Sequence, residues 1–198
     1  MASAEFWYEF ASTYSYPAAL RVAALAEQRG VSVAWRPFLL GPIFGVQGWR
    51  DSPFNIYPAK GRYMWRDVAR TCEAMGVPFR RPEPFPQGSL LAARVALTLQ
   101  GEARAAFSRA VFSAEFGRGE SISDRALLAA LLAACGADAE AALGSAESDA
   151  NKAALKAECA RAAGIGIVGA PSIVTADDEV FWGNDRLEQA LDWAARAA

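Results

Sequence analysis

The sequence contains no histidine. That removes Ser-His-Asp and Cys-His catalysis, imidazole metal sites and a histidine general base in one step. Cysteine is scarce. Cys72, Cys135 and Cys159 are odd in number and scattered over helical patterns. They read as reduced, partly buried thiols, and neither a disulfide framework nor a metal site is expected. No basic block exists and the net charge is −2, so neither nucleic acid nor an anionic membrane surface is an expected partner. No apolar run reaches the roughly 18 residues of a membrane span. The N-terminal stretch has no basic region, and Glu5 and Glu9 interrupt it. It does not read as a signal peptide, and a cytoplasmic protein is expected.

What remains is a globular composition. Hydrophobic residues make up 53% and charged residues 21% of 198, enough for one good core with a sub-domain. An aromatic run from Phe6 to Phe10 reads as a buried strand. It breaks at Ser12, and a helical pattern follows from Pro17 toward Gly30. Val31–Trp35 alternates and reads as a second strand, so the start is a βαβ unit with a parallel pair. Residues 41–58 hold Gly, Pro and Asn and read as a long functional loop. A helix is expected from Pro58 to Gly76, then an irregular segment to Gly88 carrying Pro78, Pro82, Pro84 and Pro86. Ala/Leu-rich helices are expected over 90–99, 103–116, 124–135, 137–143 and 148–165, with Asp124 and Ser148 as N-caps. Ser172–Thr175 and Val180–Trp182 form a hairpin turning at Asp177–Asp178. Asp185 and Glu188, spaced like a capping box, open the last helix. The order β-α-β, helical block, β-β-α is similar to the thioredoxin type, an α/β fold. Residues 1–45 and 164–198 are assigned to the thioredoxin-like domain, and 46–163 to a large all-helical insertion.

Three short stretches could carry chemistry. Ser12-Thr13-Tyr14-Ser15 sits where a strand hands over to a helix, so backbone N–H groups and the helix dipole favour an anion there. A thioredoxin-fold oxidoreductase has Cys-x-x-Cys at this point. Disulfide exchange needs a thiolate, so hydroxyls at both ends exclude it. A hydroxyl can instead donate to a thiolate brought by a ligand. On residue types alone, Ser12 as a plain helix-start residue is the commoner reading. Ala170-Pro171 opens a strand. A cis bond there would turn the Ala170 backbone outward for a peptide-like ligand, while a simple strand-start proline is the plainer alternative. Trp182-Gly183-Asn184-Asp185 offers N–H groups for a carboxylate and Asp185 for an ammonium, or merely caps a helix. Lys60 follows the long loop. Arg62, Arg80 and Arg81 read as solvated surface. The loop aromatics and Phe85 suit packing or an apolar pocket for an aromatic molecule.

The order and spacing of Tyr8–Tyr16, Trp35–Gly41, Pro58–Tyr63, Gly169–Pro171 and Phe181–Leu187 resemble a glutathione-dependent branch of the DsbA-like thioredoxin superfamily. That branch includes the 2-hydroxychromene-2-carboxylate isomerases and the kappa-class glutathione transferases. The resemblance covers nearly the whole chain. It implies glutathione as cofactor, with Ser12 the catalytic serine that holds its sulfur. Thr13, Tyr14, Ala170, Pro171, Trp182, Gly183, Asn184 and Asp185 would complete the glutathione site, with the γ-glutamyl end at 182–185. Asn55, Lys60 and Phe85 would contact a small aromatic substrate, with no metal. Thr13 stands where many relatives have proline, and Glu9 where many have aspartate. The implied reaction is cis–trans isomerisation in aromatic degradation: the thiolate adds to a conjugated carbon of 2-hydroxychromene-2-carboxylate, the former double bond rotates, and elimination gives trans-o-hydroxybenzylidenepyruvate. Relatives are commonly homodimers. A transferase acting on another electrophile uses the same sulfur site. A redox-inactive thioredoxin-fold protein that grips extended peptides is the alternative from another class.

Overall fold

The structure is a computed structural model and describes residues 2–196. Its centre is β1 (Ser3–Tyr8), which pairs in parallel with β2 (Ser32–Pro37) and antiparallel with β3 (Ser172–Thr175). β4 (Val180–Trp182) completes the sheet in the order β2-β1-β3-β4. Phe6 sits opposite Trp35 on one side and Ile173 on the other. Every residue from Phe6 to Phe10 is buried, because helices cover both faces of the sheet. That is why this strand reads as a continuous apolar run rather than an alternating one.

The core begins with rings. Phe6, Tyr8, Phe10, Trp35 and Phe112 pack with centroids 4.9–5.8 Å apart, mostly edge to face, the geometry that aromatic quadrupoles favour. The Tyr8 hydroxyl, buried among them, shares a 2.7 Å hydrogen bond with Ser108 Oγ.

Helix α1 (Ser15–Glu27) returns from β1 to β2. The expected loop over 41–58 is in fact broken by two short helices, α2 (Leu40–Val46) and α3 (Pro53–Ile56). Ser52 starts the second by accepting the Phe54 N–H, and Pro53 costs nothing at a first-turn position. α4 (Pro58–Met75) ends at Gly76, whose φ of +65° closes the helix in the left-handed region, where glycine carries no penalty. Residues 77–89 are irregular, as expected.

The helical block continues with α5 (Leu90–Thr98) and α6 (Gly101–Phe112). The pattern expected as one helix over 103–116 passes at Ser113 into a π-helical segment, Ser113–Arg118. Then follow α7 (Arg125–Ala134), α8 (Ala139–Ala146) and α9 (Asp149–Gly164). Asp124 and Ser148 do cap their helices, accepting from Ala126 N and Asn151 N. α10 (Leu187–Arg196) is the last element among the described residues. The expected capping box is absent: a 3₁₀ turn, Asn184–Arg186, comes first, and Glu188 pairs with Arg21 instead of reaching back.

One arginine ties the helical block to the sheet. Arg104 Nε donates to the Ala96 and Leu99 carbonyls at 2.9 Å, and Nη1 to the Trp35 carbonyl at 3.0 Å. It satisfies the end of α5 and an outward carbonyl of edge strand β2 together. Among the described residues, no helix is long and apolar enough to cross a membrane.

Candidate functional site

Three stretches far apart in sequence meet at the C-terminal end of β1. After Tyr8 the chain turns, with Ser12 N–H donating to the Glu9 carbonyl at 3.0 Å. α1 then begins at Ser15, whose N–H points at the Ser12 carbonyl (3.1 Å) and hydroxyl (3.4 Å). Ser12 therefore does serve the helix start. It does more: its hydroxyl donates at 2.9 Å to the carbonyl of Ala170, 158 positions away. The Ala170–Pro171 bond is cis.

The hydroxyls beside Ser12 are closed off. Thr13 Oγ1 and Ser15 Oγ are buried without partners, while Ser12 is half-buried. Ser12 is thus the one of the three that a ligand can reach. Thr13 can meet a ligand only through its main chain. The Thr13, Tyr14 and Ala170 amides donate to no acceptor among the described residues. Orphan N–H groups beside a hydroxyl at a helix start form an anion-binding edge.

The third stretch joins the second through the Gly183 N–H, which donates to the Pro171 carbonyl at 2.9 Å. A Cβ on Gly169 would lie 2.4 Å from Trp182 Nε1, so the indole lies against the Gly169 backbone. Trp182 is 58% exposed and forms an open wall there. Gly183 has φ of +123° and Asp185 folds back over it. The Asn184 amide is held from α1 by Arg21 Nη1 at 3.3 Å.

Tyr14 links the cluster to α4. Its hydroxyl donates to Asp67 Oδ2 at 3.0 Å, and its ring meets Phe54 at 6.3 Å. Burial, the Asp67 contact and the nearby Asp67 and Asp185 charges raise its pKa, so it stays a phenol. Asn55 and Phe85 come together: Asn55 Nδ2 donates to the Phe85 carbonyl at 3.2 Å, and also to Asp51. Lys60 stands apart from them, with its ammonium 4.7 Å over the Tyr57 ring. Arg81, expected as plain surface, covers the Trp65 ring at 4.7 Å, and Trp65 packs edge-on against Phe85 at 4.6 Å.

Behind the Ser12 turn lie two buried carboxyls. Glu9 Oε2 accepts the Leu40 N–H at 2.9 Å and Oε1 the Ala11 N–H at 3.4 Å. Glu115, in the π-helical segment, is wholly buried with neither oxygen partnered. Burial raises the pKa of both, and the Glu9 charge raises that of Glu115 further. Glu9, which has N–H donors, is the better anion of the pair; Glu115 holds its proton.

Sequence reasoning missed Asp67, Trp65, Arg21 and Glu115. Only Glu115 left a signal: it falls on the helical face of Ser108 and Phe112, beside the apolar positions Ala105 and Val111. Two grooves occur elsewhere. One of about 460 Å³ lies between Ser3–Glu5, Arg161 and Thr175–Asp178; one of about 290 Å³ lies between Tyr16, Leu20, Val77 and Gly117. Neither reaches Ser12. The exposed side chains of Trp182 and Asp185 border the Ser12 cluster.

The model of the DSBA-like thioredoxin domain matches residues 4–193. The 2-hydroxychromene-2-carboxylate isomerase of Sphingobium xenophagum is 29% identical over 187 residues, 93% of each chain. A solved 2-hydroxychromene-2-carboxylate isomerase superposes with a TM-score of 0.87 at 24% identity, over 98% of this chain and 95% of that one. The cytosolic disulfide reductase DsbM from Pseudomonas aeruginosa, solved with GSH, gives a TM-score of 0.68 at 18% identity, over 98% and 96%.

Proposed function

Since this chain belongs to the DSBA-like thioredoxin domain family, with hydroxyls at both ends of its Ser12–Ser15 turn, we propose that it is a glutathione-dependent isomerase. Its reaction is the cis–trans conversion of 2-hydroxychromene-2-carboxylate to trans-o-hydroxybenzylidenepyruvate. One observation carries the reading: of the turn's three aliphatic hydroxyls, the one that is not sealed stands 2.9 Å from the Ala170 carbonyl. The relative from Sphingobium xenophagum supports the isomerase class, and the DsbM structure with GSH supports the ligand.

The residues fit glutathione. Ser12 and the free amides of Thr13 and Tyr14 suit its sulfur as an anion. The unpaired Ala170 N–H suits its peptide backbone, as an added strand would be bound. The Gly183–Asp185 turn suits the charged γ-glutamyl end, with Asp185, 75% exposed at its side chain, toward the ammonium. When bound, glutathione supplies the thiolate nucleophile that this chain lacks.

The protein's own part is electrostatic. Ser12 turns its hydroxyl from the Ala170 carbonyl to the sulfur and holds it ionised. A charge-assisted bond of about 1.5–3 kcal/mol corresponds to lowering the thiol pKa by about one to two. Phe54, Phe85 and Asn55 flank the approach of an aromatic substrate and orient it. The reading includes a cytoplasmic homodimer. Val46, 90% exposed, and exposed Ile56, Tyr57 and Tyr63 are apolar surface that an assembly would cover.

The test is calorimetric titration with glutathione, then an ultraviolet titration of the bound thiol, in the native protein and in Ser12→Ala. Native protein should bind, and Ser12→Ala should raise the thiol pKa by about one to two and abolish most turnover of the chromene carboxylate. Absence of binding at millimolar glutathione rejects the reading. So does unchanged turnover in the variant.

A further inference from the structure

Asn184 is the buried member of the 182–185 stretch, yet nothing in its own turn orients its side chain. The partner comes from α1. Arg21 Nη1 donates to Asn184 Oδ1 at 3.3 Å, while its Nη2 pairs with Glu188. A guanidinium has donors and no acceptor, so the amide atom facing it has to be the oxygen. The NH₂ group therefore points away from α1. It has no protein acceptor and is not sealed from solvent, among the described residues.

We infer that Arg21 is a positioning residue that locks the Asn184 amide with its NH₂ outward, so that the turn offers a donor to the carboxylate of the γ-glutamyl end. The inference rests on the reading of that turn as the γ-glutamyl receiver. Without Arg21 the amide is free to rotate by half a turn and present Oδ1, which repels a carboxylate. The Arg21–Glu188 pair keeps the guanidinium from following the amide when it rotates. Arg21 thus acts on the ligand through another side chain, from the same helix whose start carries Ser12.

The fold contains its own control. Arg29, just past the end of α1, donates to Asp192 Oδ1 at 2.6 Å and ties the same two helices without touching the turn. Glutathione affinity is measured by calorimetry on the full chain, alongside the thermal midpoint. Arg21→Met should raise Kd about tenfold, as expected for a lost bond to a charged ligand. Arg21→Lys still can only donate to Oδ1 and should stay within about threefold of native. Arg29→Met should lower the midpoint as Arg21→Met does, yet leave Kd within about twofold. Should Arg21→Met fail to fold, Asn184→Asp decides. It keeps an oxygen toward Arg21 and puts another where the NH₂ was, so its Kd must exceed that of Arg21→Lys. An Arg21→Met Kd within twofold of native, an equal loss in Arg29→Met, or an Asn184→Asp Kd no higher than that of Arg21→Lys overturns the inference. If native protein binds no glutathione, the functional reading itself falls; if native binds and Arg21→Met binds equally, only the role of Arg21 falls.

Discussion

Replacing Glu115 by glutamine should change how stability depends on pH, with a sign and slope set by the structure. Glu115 lies in the π-helical segment after α6, wholly buried, with no donor on either oxygen and the Glu9 carboxyl facing it. Its pKa in the folded protein is raised well above the ordinary 4.5. Below 4.5 the group is neutral in both folded and unfolded chains and costs nothing. Above it the unfolded chain releases the proton while the folded protein keeps it. Stability then falls by about 1.4 kcal/mol for each pH unit until the folded pKa is reached. Glutamine has the shape of the protonated acid and no proton to lose. It adds a constant offset of about 1–3 kcal/mol for its unpaired amide, which leaves the slope untouched. Glu5, held below its usual range by Arg36 and Arg161 against the opposing effect of burial, tilts both profiles alike in the opposite sense and cancels in the difference. The assay is urea unfolding followed by circular dichroism at pH 5, 6, 7 and 8. The native-minus-variant difference should drop with pH at the stated slope across the first interval. Parallel profiles would mean that Glu115 is ionised or hydrated in the folded protein, and the argument from its bare oxygens would be wrong.

Arg104→Met leaves the carbonyls of Leu99 and Trp35 without their donor, and that of Ala96 with only the Leu99 N–H at 3.3 Å. It should cost about 3 kcal/mol, read as a fall in urea midpoint, since each orphaned carbonyl carries its desolvation penalty; an unchanged midpoint refutes the capping role. Gly169→Ala places a methyl 2.4 Å from the Trp182 Nε1 position. The exposed indole must swing away, so tryptophan emission and glutathione affinity should change while the unfolding free energy stays within about 1 kcal/mol of native. An unchanged emission spectrum contradicts the close approach.

Much of this was legible because it is periodic or covalent. The βαβ start, the hairpin at 172–182 and the caps at Asp124 and Ser148 follow from residue type and spacing alone. That Ser12 and Ala170 belong to one site was implied only by the family resemblance; the structure brings them together because a β1 end and a β3 start are neighbours in the sheet. What escaped depends on contacts made across the chain. The π-helical turn at Ser113 has the same apolar spacing as an ordinary helix, so 103–116 read as one element. Glu188 fits a capping box by spacing, but Arg21 from α1 competes for it and wins. The Gly and Pro content of 41–58 signalled a loop, although Pro53 at a first-turn position and the Ser52 cap are also how a short helix begins. Asp67 and Trp65 are unremarkable on α4 until Tyr14 and Phe85 are folded onto them. Thr13 was grouped with Ser12 by adjacency, and only burial separates a sealed hydroxyl from a reachable one.

The Arg104 fork bears on how small this protein could be made. Its guanidinium occupies the outer margin of the four-stranded sheet as a neighbouring strand would. A shortened chain that joined the two sheet-forming ends by a brief linker would keep every strand and still leave that margin bare. The unpaired row along Ser32–Pro37 would then recruit whatever backbone came near, another molecule of itself first of all. On this view the long excursion between the sheet's halves also guards that one margin against chance pairing with foreign backbone.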